Sequence, residues 1–232
     1  MEKIDLKLIM TKDEIIKELK KNASPKIIES ERYFGNKGKN ILGVTVTFLR
    51  KFAKKIPKDH KLALELWNTG IHEAKMLASM VDIVDKVSEK QMDKWVSEFD
   101  SWGICDGVCM NLFCHTPFVD KKIHEYTKNQ KEYIRRTAFT LMACLAFKSK
   151  NLKDKDLIKY FDLIEKYSMD ERNFVKKAVN WALRQIGKKN KNLNKKAIAL
   201  AKKIKKQDTK SARWIANNAL NELEKTTKFK IN

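Results

Sequence analysis

Glycine and proline are scarce in this sequence, with 7 and 3 residues respectively among 232. Because these two residues mark most tight turns, their scarcity argues against an all-β sandwich and favours helices. Hydrophobic residues make up 43% of the chain, enough to build a core although 34% of residues are charged. The composition therefore predicts a globular, all-α protein.

Long hydrophobic runs are also lacking. No stretch approaches the roughly 18–20 uninterrupted apolar residues of a membrane span. The opening MEKIDLKLIMTKDEIIKELKK mixes both charges and lacks the apolar run of a signal peptide. We therefore expect a cytoplasmic protein with no membrane partner. We also expect this protein to be a monomer.

The cysteines, four in number, are too few and too clustered for a disulfide framework, which fits a reducing compartment. Cys105 and Cys109 are four residues apart, and no CxxC pair exists to form a zinc knuckle. Buried, small apolar residues are the simpler interpretation. The histidines show no spacing that identifies a partner for a cysteine nucleophile, and Walker, GxGxxG and GxSxG motifs are absent. No metal and no cofactor are expected.

Acidic residues are scarce in the second part of the chain. Residues 1–130 contain 23 Lys/Arg and 19 Asp/Glu, a net of +4, whereas residues 131–232 contain 27 and 10, a net of +17. One interpretation is a generally lysine-rich, solvated surface. The other is an electrostatic footprint for a phosphate backbone, where each neutralised phosphate releases counterions.

Almost every segment has helical periodicity. Ser24-Pro25 predicts a helix start, with an N-cap followed by proline at the first helical position, and 35–39 is the clearest loop. The predicted helices are roughly 41–55, 59–69, 71–86, 89–99, 101–114, 117–129, 131–148, 154–167, 171–188, 192–206 and 209–224.

Short breaks between these helices make neighbours antiparallel, and a pair of helices forms a unit of roughly 30–40 residues, close to HEAT or armadillo spacing. Such units stack into a solenoid with a concave surface. We therefore predict a HEAT-like or armadillo-like repeat solenoid with a basic concave groove. It would form a single domain over residues 1–232, with the repeats at about 30–225. A compact helical bundle is the alternative.

Trp102 and Asp106 lie one helical turn apart, which places an aromatic ring and a carboxylate on one helix face. An acid beside an aromatic ring, in a chain of net charge +21, suggests chemistry on nucleic acid. An ordinary exposed acid is the alternative for Asp106. Capping is excluded because Asp106 lies five residues beyond the expected N-cap, Ser101.

The predicted helix 171–188 carries a stripe of cations around an indole ring. The stripe consists of Lys177, Trp181, Arg184 and Lys188. The cations of such a surface can hold phosphates while the ring packs on a sugar or base. A tryptophan that belongs to the core is the alternative. The buried stripe of the same helix is expected to consist of Phe174, Ala178, Leu183 and Ile186.

Arg135 and Arg136 precede the apolar run 139–147, which must be buried. We expect both arginines at the edge of that run, one pointing to the concave face and the other to solvent.

Several motifs together resemble the AlkD-type DNA alkylation repair family, the HEAT-like-repeat DNA glycosylases that excise alkylated purines. The resemblance covers about residues 30–225. It rests on Tyr33–Gly38 with Leu42–Val44 and Leu49–Arg50, on Leu66–Trp67 and Ile71–Ala78, on Trp102–Asp106, and most specifically on Phe174–Gly187.

The resemblance implies roles for individual residues. Asp106 corresponds to the catalytic carboxylate, and Trp102 and Trp181 to aromatic walls beside the lesion nucleotide. Arg136 and Arg184 correspond to cations that hold the DNA backbone. Members of the family commonly carry a second aspartate directly after the first tryptophan, and this chain departs from the pattern with Gly103.

The expected function is therefore hydrolysis of the N-glycosidic bond of cationic N3- or N7-alkylated purines in double-stranded DNA, without extrusion of the lesion into a deep pocket. Lys177, Lys188 and Arg135 are expected to contact DNA as well. Two alternatives remain: a non-catalytic helical-repeat module that binds damaged or specially shaped DNA, and a protein-scaffolding solenoid.

Overall fold

A computed structural model describes residues 8–149 and 151–226, and every regular element in these ranges is helical. The predicted all-α class is confirmed. The α-helices are α1 (Lys12–Lys21), α2 (Pro25–Tyr33), α3 (Val46–Lys55), α4 (His60–Trp67), α5 (His72–Val81), α6 (Glu89–Ser97), α7 (Trp102–Asn111), α8 (Val119–Thr127), α9 (Glu132–Lys148), α10 (Asp154–Ile158), α11 (Phe161–Tyr167), α12 (Asn173–Gly187), α13 (Lys191–Lys205) and α14 (Lys210–Leu223). Short 3₁₀ turns occur at Val84–Lys86 and Phe113–His115. No helix among the described residues is long and apolar enough to cross a membrane.

The chain forms two compact units, a first unit up to Thr116 and a second unit from Pro117. That they belong to one domain spanning residues 1–232 stays a prediction.

Helix starts follow the capping residues of the sequence. The Thr11 side chain and Glu14 form a capping box at α1, and the side chains of Asp59, Ser88 and Thr209 accept N–H bonds at the starts of α4, α6 and α14. Pro25 is the first residue of α2, as predicted.

Three predicted helices differ clearly from the structure. The helix predicted over 71–86 ends at Val81, because Asp82 has extended backbone, and Val84–Lys86 forms a separate 3₁₀ turn.

The helix predicted over 41–55 begins only at Val46, because Gly43 has a left-handed backbone with φ of 79° and the Thr45 side chain caps the helix at the next turn. The buried carboxylate of Glu73 accepts the backbone N–H groups of the segment before it, Leu42, Gly43 and Val44. The helix predicted over 154–167 is two helices, α10 and α11, and the intervening Tyr160 is buried with its hydroxyl donating to Asp120.

Stacked aromatic rings form part of the core of the first unit. The Trp67 and Trp95 rings lie 3.9 Å apart and nearly parallel, and the Trp67 indole N–H donates to Glu98 at 2.7 Å. The Lys75 ammonium lies 4.9 Å from the Trp67 ring centre and bonds the same Glu98 carboxylate.

Hydrogen bonds between helices of the second unit recur at a nearly constant sequence separation. Asn180 bonds Asn218 and Arg184 bonds Glu222, each pair 38 residues apart, and the Phe174 N–H donates to Glu132 over 42 residues. These bonds place α9, α12 and α14 side by side and parallel, since residues near each start or end pair with each other. In the first unit, Leu42–Glu73 and Trp67–Glu98 are each separated by 31 residues. Both separations agree with a helix-pair repeat, as predicted.

Gly187 provides a test of packing in the second unit. A Cβ there would lie 2.7 Å from Leu223 Cδ2 and 2.9 Å from Ala197 Cβ, so Gly187→Ala is expected to lower the free energy of unfolding by about 1–3 kcal/mol through overpacking. Urea denaturation measures the change. Gly103→Ala is the matched control, because its Cβ would approach nothing closer than 3.8 Å, and it should leave stability equal or slightly raised. Equal effects of the two substitutions would contradict the packing argument.

Candidate functional site

Helix α7 holds both residues of the predicted aromatic–acid pair. Ser101 is the N-cap, and its hydroxyl accepts the Ile104 N–H at 3.3 Å. Trp102 is therefore the first helical residue, and Asp106 follows one turn later; both are partly exposed. The other face of the helix is buried, with Cys105 and Val108 inaccessible to solvent. The helix thus presents the indole and the carboxylate from one side.

The indole of Trp102 is oriented by the backbone of the preceding loop. Its N–H donates to the carbonyl oxygen of Phe34 at 3.2 Å, at the end of α2. This bond fixes the ring relative to the loop 34–45, which leads into α3.

Gly103 faces a polar cluster beneath the first turn of α7. A Cβ at this position would lie 3.8 Å from the Asn36 amide nitrogen and 3.8 Å from His72 Cε1. Asn36 is fully buried; its amide donates to Glu31, and its oxygen accepts the Gly38 N–H. The position is open, so the absence of a side chain there is not imposed by crowding.

The imidazole of His72 is largely desolvated. Its Nδ1 atom is buried and finds no hydrogen-bond partner among the described residues. Burial lowers the pKa of His72 below its ordinary value of 6.5, although the negative charges of Glu73, Glu31 and Asp100 act in the opposite direction. His72 is therefore neutral at pH 7.

The residues of the predicted cationic stripe on α12 all lie outside its buried face. Lys177 is exposed, and Trp181, Arg184 and Lys188 are partly exposed. The Trp181 indole N–H and the Lys188 ammonium both donate to the side-chain oxygen of Gln185, at 3.0 and 3.2 Å, when that oxygen faces them. The face that is buried consists of Val175, Ala178, Val179, Asn180, Ala182, Leu183, Ile186 and Gly187.

Phe174 was predicted to belong to this buried face, and that prediction is wrong. Phe174 is partly exposed, and Val175, one position later, is buried instead. The Phe174 ring packs beside Tyr133 at 5.6 Å between ring centres, because both residues lie near the starts of the parallel helices α12 and α9.

Glu222 on α14 neutralises part of the stripe. Its carboxylate bonds both Arg184 and Lys188, the latter at 2.6 Å. Burial alone would raise the pKa of Glu222, but the bonds from Lys188 and Arg184 outweigh it and lower the pKa. Sequence reasoning missed this acid. Its signal would have been the separation of 38 residues from Arg184, which is visible only once the repeat length is known.

Arg135 and Arg136 lie at the start of α9, and the prediction that one of them points to solvent is wrong. Arg136 is only 5% exposed and donates to the backbone carbonyl of Phe174 at 2.6 Å. Arg135 donates to Asp170 at 2.7 Å, and its guanidinium lies 4.7 Å from the Tyr167 ring centre. Both side chains are drawn inward because acceptors on the adjoining elements satisfy them there.

The apolar run 139–147 is buried as predicted except at its last residue. Phe139 to Ala146 are buried, whereas Phe147 is 45% exposed. Its ring lies 6.1 Å from that of Trp181, with the two planes 30° apart. Phe147 was not predicted as a surface residue, because it continues an apolar run whose other residues are all buried.

All four cysteines are buried, and none of them forms a disulfide: Cys105, Cys109, Cys114 and Cys144. Within 8–149 and 151–226, no three His, Cys, Asp or Glu side chains come together in a way that could hold a metal ion.

A family model described as DNA alkylation repair enzyme matches residues 15–223. The chain belongs to this family. The match spans both units and includes α7 and α12, the helices that carry the candidate residues. No curated protein matches the chain.

One solved structure is similar to this family member in fold, and a second gives a weaker match. One, described as a new family of proteins related to the HEAT-like repeat DNA glycosylases with affinity for branched DNA structures, covers 92% of this chain and 96% of its own. The TM-score is 0.75 at 17% identity. A designed armadillo repeat protein covers 76% of this chain and 92% of its own, with a TM-score of 0.36 at 16% identity. The predicted HEAT-like repeat fold is confirmed by the first of these.

Asp170 binds two arginines in the second unit, so the stability lost when Asp170 is replaced should depend on pH. Burial would raise the pKa of Asp170, but hydrogen bonds from Arg172 and Arg135 outweigh it and lower the pKa below 3.8. A carboxylate whose pKa is lower in the folded than in the unfolded protein stabilises the fold at pH values above its unfolded-state pKa. This stabilisation is lost as the pH falls through the folded-state pKa. Asp170→Asn should therefore lower the free energy of unfolding by about 2–3 kcal/mol at pH 7. This difference in stability from the wild type should become smaller below pH 3.8.

Chemical denaturation at pH 7 and at several values below pH 4 measures this difference. Asp208→Asn is the control, because Asp208 pairs with Arg213 on the surface and is fully exposed, so no measurable change is expected. A difference for Asp170→Asn that is independent of pH would contradict the assignment.

Proposed function

We propose that this protein is a DNA glycosylase that hydrolyses the N-glycosidic bond of cationic N3- or N7-alkylated purines in duplex DNA. The observation that carries the proposal is the placement of Trp102 and Asp106 on one face of α7, in a member of the DNA alkylation repair enzyme family. Both side chains are partly exposed, which a group that meets a substrate requires.

The chemistry needs few protein groups. Glycoside hydrolysis ordinarily uses one carboxyl group to protonate the leaving group and another to stabilise the oxocarbenium-like centre or activate water. An N3- or N7-alkylated purine is already cationic and leaves without protonation. A single carboxylate, Asp106, then suffices to stabilise the positive charge that develops on the deoxyribose and to orient the attacking water. The Trp102 ring attracts the cationic lesion through its π face.

DNA binding by the second unit is assigned to the stripe on α12. Lys177, Arg184 and Lys188 would neutralise phosphates, and Trp181 would pack on a sugar. Arg136 and Arg135 contribute indirectly in this assignment: they hold the starts of α9 and α12 and the adjoining loop in place through Phe174 and Asp170.

Asp106→Asn tests the catalytic assignment. The substitution removes the charge and keeps the shape, so release of 7-methylguanine from methylated duplex DNA should fall by at least about 100-fold. DNA affinity should stay the same or rise slightly. Chromatography of released bases and fluorescence anisotropy measure the two quantities. Asp85→Asn, an exposed acid elsewhere in the first unit, is the control and should leave both unchanged. Wild-type protein that binds DNA but releases no alkylpurine would refute the enzyme proposal.

A non-catalytic role in recognising specially shaped DNA is the second candidate. One observation favours it: the structural neighbour at a TM-score of 0.75 is described as having affinity for branched DNA. The family resemblance also implies an acid where this chain has Gly103. Binding that is unaffected by Asp106→Asn, together with an absence of base release by the wild type, would support this candidate.

Glu222→Gln tests the phosphate contacts. The substitution releases Arg184 and Lys188 from their shared carboxylate, so DNA affinity should rise. The slope of log K against log salt should also steepen by about 1, the effect of one additional neutralised phosphate. Titrations at several salt concentrations measure both. Glu224→Gln is the control with the same charge change, since Glu224 is exposed and pairs only distantly with Lys202. Equal effects would mean that only net charge matters and that α12 is not the contact surface.

A further inference from the structure

The exposed Phe147 ring lines a cleft whose side chains are of the types that bind nucleotides. The cleft measures about 360 Å³ and is lined by Ala146, Phe147, Gln185, Lys188 and Lys189. It therefore combines an aromatic face, an amide and two cations in a volume larger than one nucleobase.

The aromatic side of the cleft is held in a fixed arrangement. Trp181 is tied through its N–H to Gln185, and Phe147 lies beside it with the ring planes only 30° apart. A flat ligand that packs on Phe147 therefore also lies close to Trp181. Leaving a phenylalanine 45% exposed at the end of a helix forgoes hydrophobic stabilisation, which is consistent with a role in binding.

Lys189 connects the cleft to the end of α9. Its ammonium donates to the carbonyl oxygens of Ala146 and Ser149, at 3.0 and 2.6 Å. These bonds satisfy carbonyls at the C-terminus of the helix and hold Phe147 in position. They use neutral acceptors, so the charge of Lys189 is not cancelled by them.

The charges around the cleft sum to a positive value. Arg184, Lys188 and Lys189 contribute three positive charges. Glu222 and Asp154, which interacts with Lys189, contribute two negative charges, which leaves +1. An aromatic surface next to a net positive charge is the combination that binds single-stranded nucleic acid, where bases stack and phosphates are neutralised.

We propose that Phe147, beside Trp181, stacks an unpaired base of DNA, as found at a bulge, gap or branch, while the neighbouring cations bind its phosphate. This inference rests on the proposed DNA binding and adds the feature of DNA that the second unit recognises.

The test compares two DNAs, a continuous duplex and the same duplex with one unpaired base. The wild type should bind the second more tightly. Phe147→Ala should lose about 5- to 150-fold in affinity for the DNA with the unpaired base, the range for one base–aromatic stack, and stay within about twofold for the duplex. Phe147→Tyr keeps the ring and should restore the preference. Met169→Ala, another exposed apolar residue of the second unit, should behave as wild type.

A second measurement places the base directly. The unpaired position is replaced by 5-iodouracil, which cross-links to stacked aromatic rings on irradiation, and the modified peptide is identified by mass spectrometry. Cross-links at Phe147 or Trp181 support the inference, and cross-links found only elsewhere overturn it. A wild type that binds both DNAs equally, or a Phe147→Ala variant with an unchanged preference, overturns this inference alone. A wild type that binds neither DNA overturns the proposed function as well.

Discussion

The parallel packing of α9 against α12 determines where the candidate residues of the second unit lie. At the starts of the two helices, Glu132 accepts the Phe174 N–H and Arg136 donates to the Phe174 carbonyl. At their ends, Phe147 packs beside Trp181, and Lys189 binds the last carbonyls of α9. Because the pair is fixed at both ends, the face of α12 that carries Lys177, Trp181, Arg184 and Lys188 is set by backbone contacts. Arg184 and Lys188 on this face also bind Glu222 of α14, so the same side chains serve both the packing and the surface.

The charge of that face differs from what a count of lysines and arginines suggests. One carboxylate, Glu222, is shared by two of its cations, and two further arginines, Arg135 and Arg136, are directed inward. Part of the positive charge of residues 131–232 is therefore bound to acceptors within the protein. The cations that remain exposed include Lys177 on this face and several lysines of α13, such as Lys195 and Lys202.

Helical class, repeat length and family were predictable because they depend on local periodicity and on motifs read along the chain. The Ser101 cap that begins α7 and the proline that begins α2 are examples. The inward turn of Arg136, the exposure of Phe147 and the pairing of Glu222 were not predictable. Each depends on a partner about 35–40 residues away in the neighbouring repeat, and the residue pattern of a single helix does not reveal that partner. The break between α10 and α11 likewise follows from the tertiary bond of Tyr160 to Asp120.

The open space above Gly103 has a consequence for how the family diversifies. A β-carbon can be added at this position without moving Asn36 or His72, whose nearest atoms would lie 3.8 Å away. Glycine and aspartate codons can differ by one nucleotide, so a second acid beside Asp106 can be gained or lost in a single mutational step. The turn of α7 that carries Trp102 and Asp106 can therefore change its charge without the steric barrier that a β-carbon at Gly187 would meet.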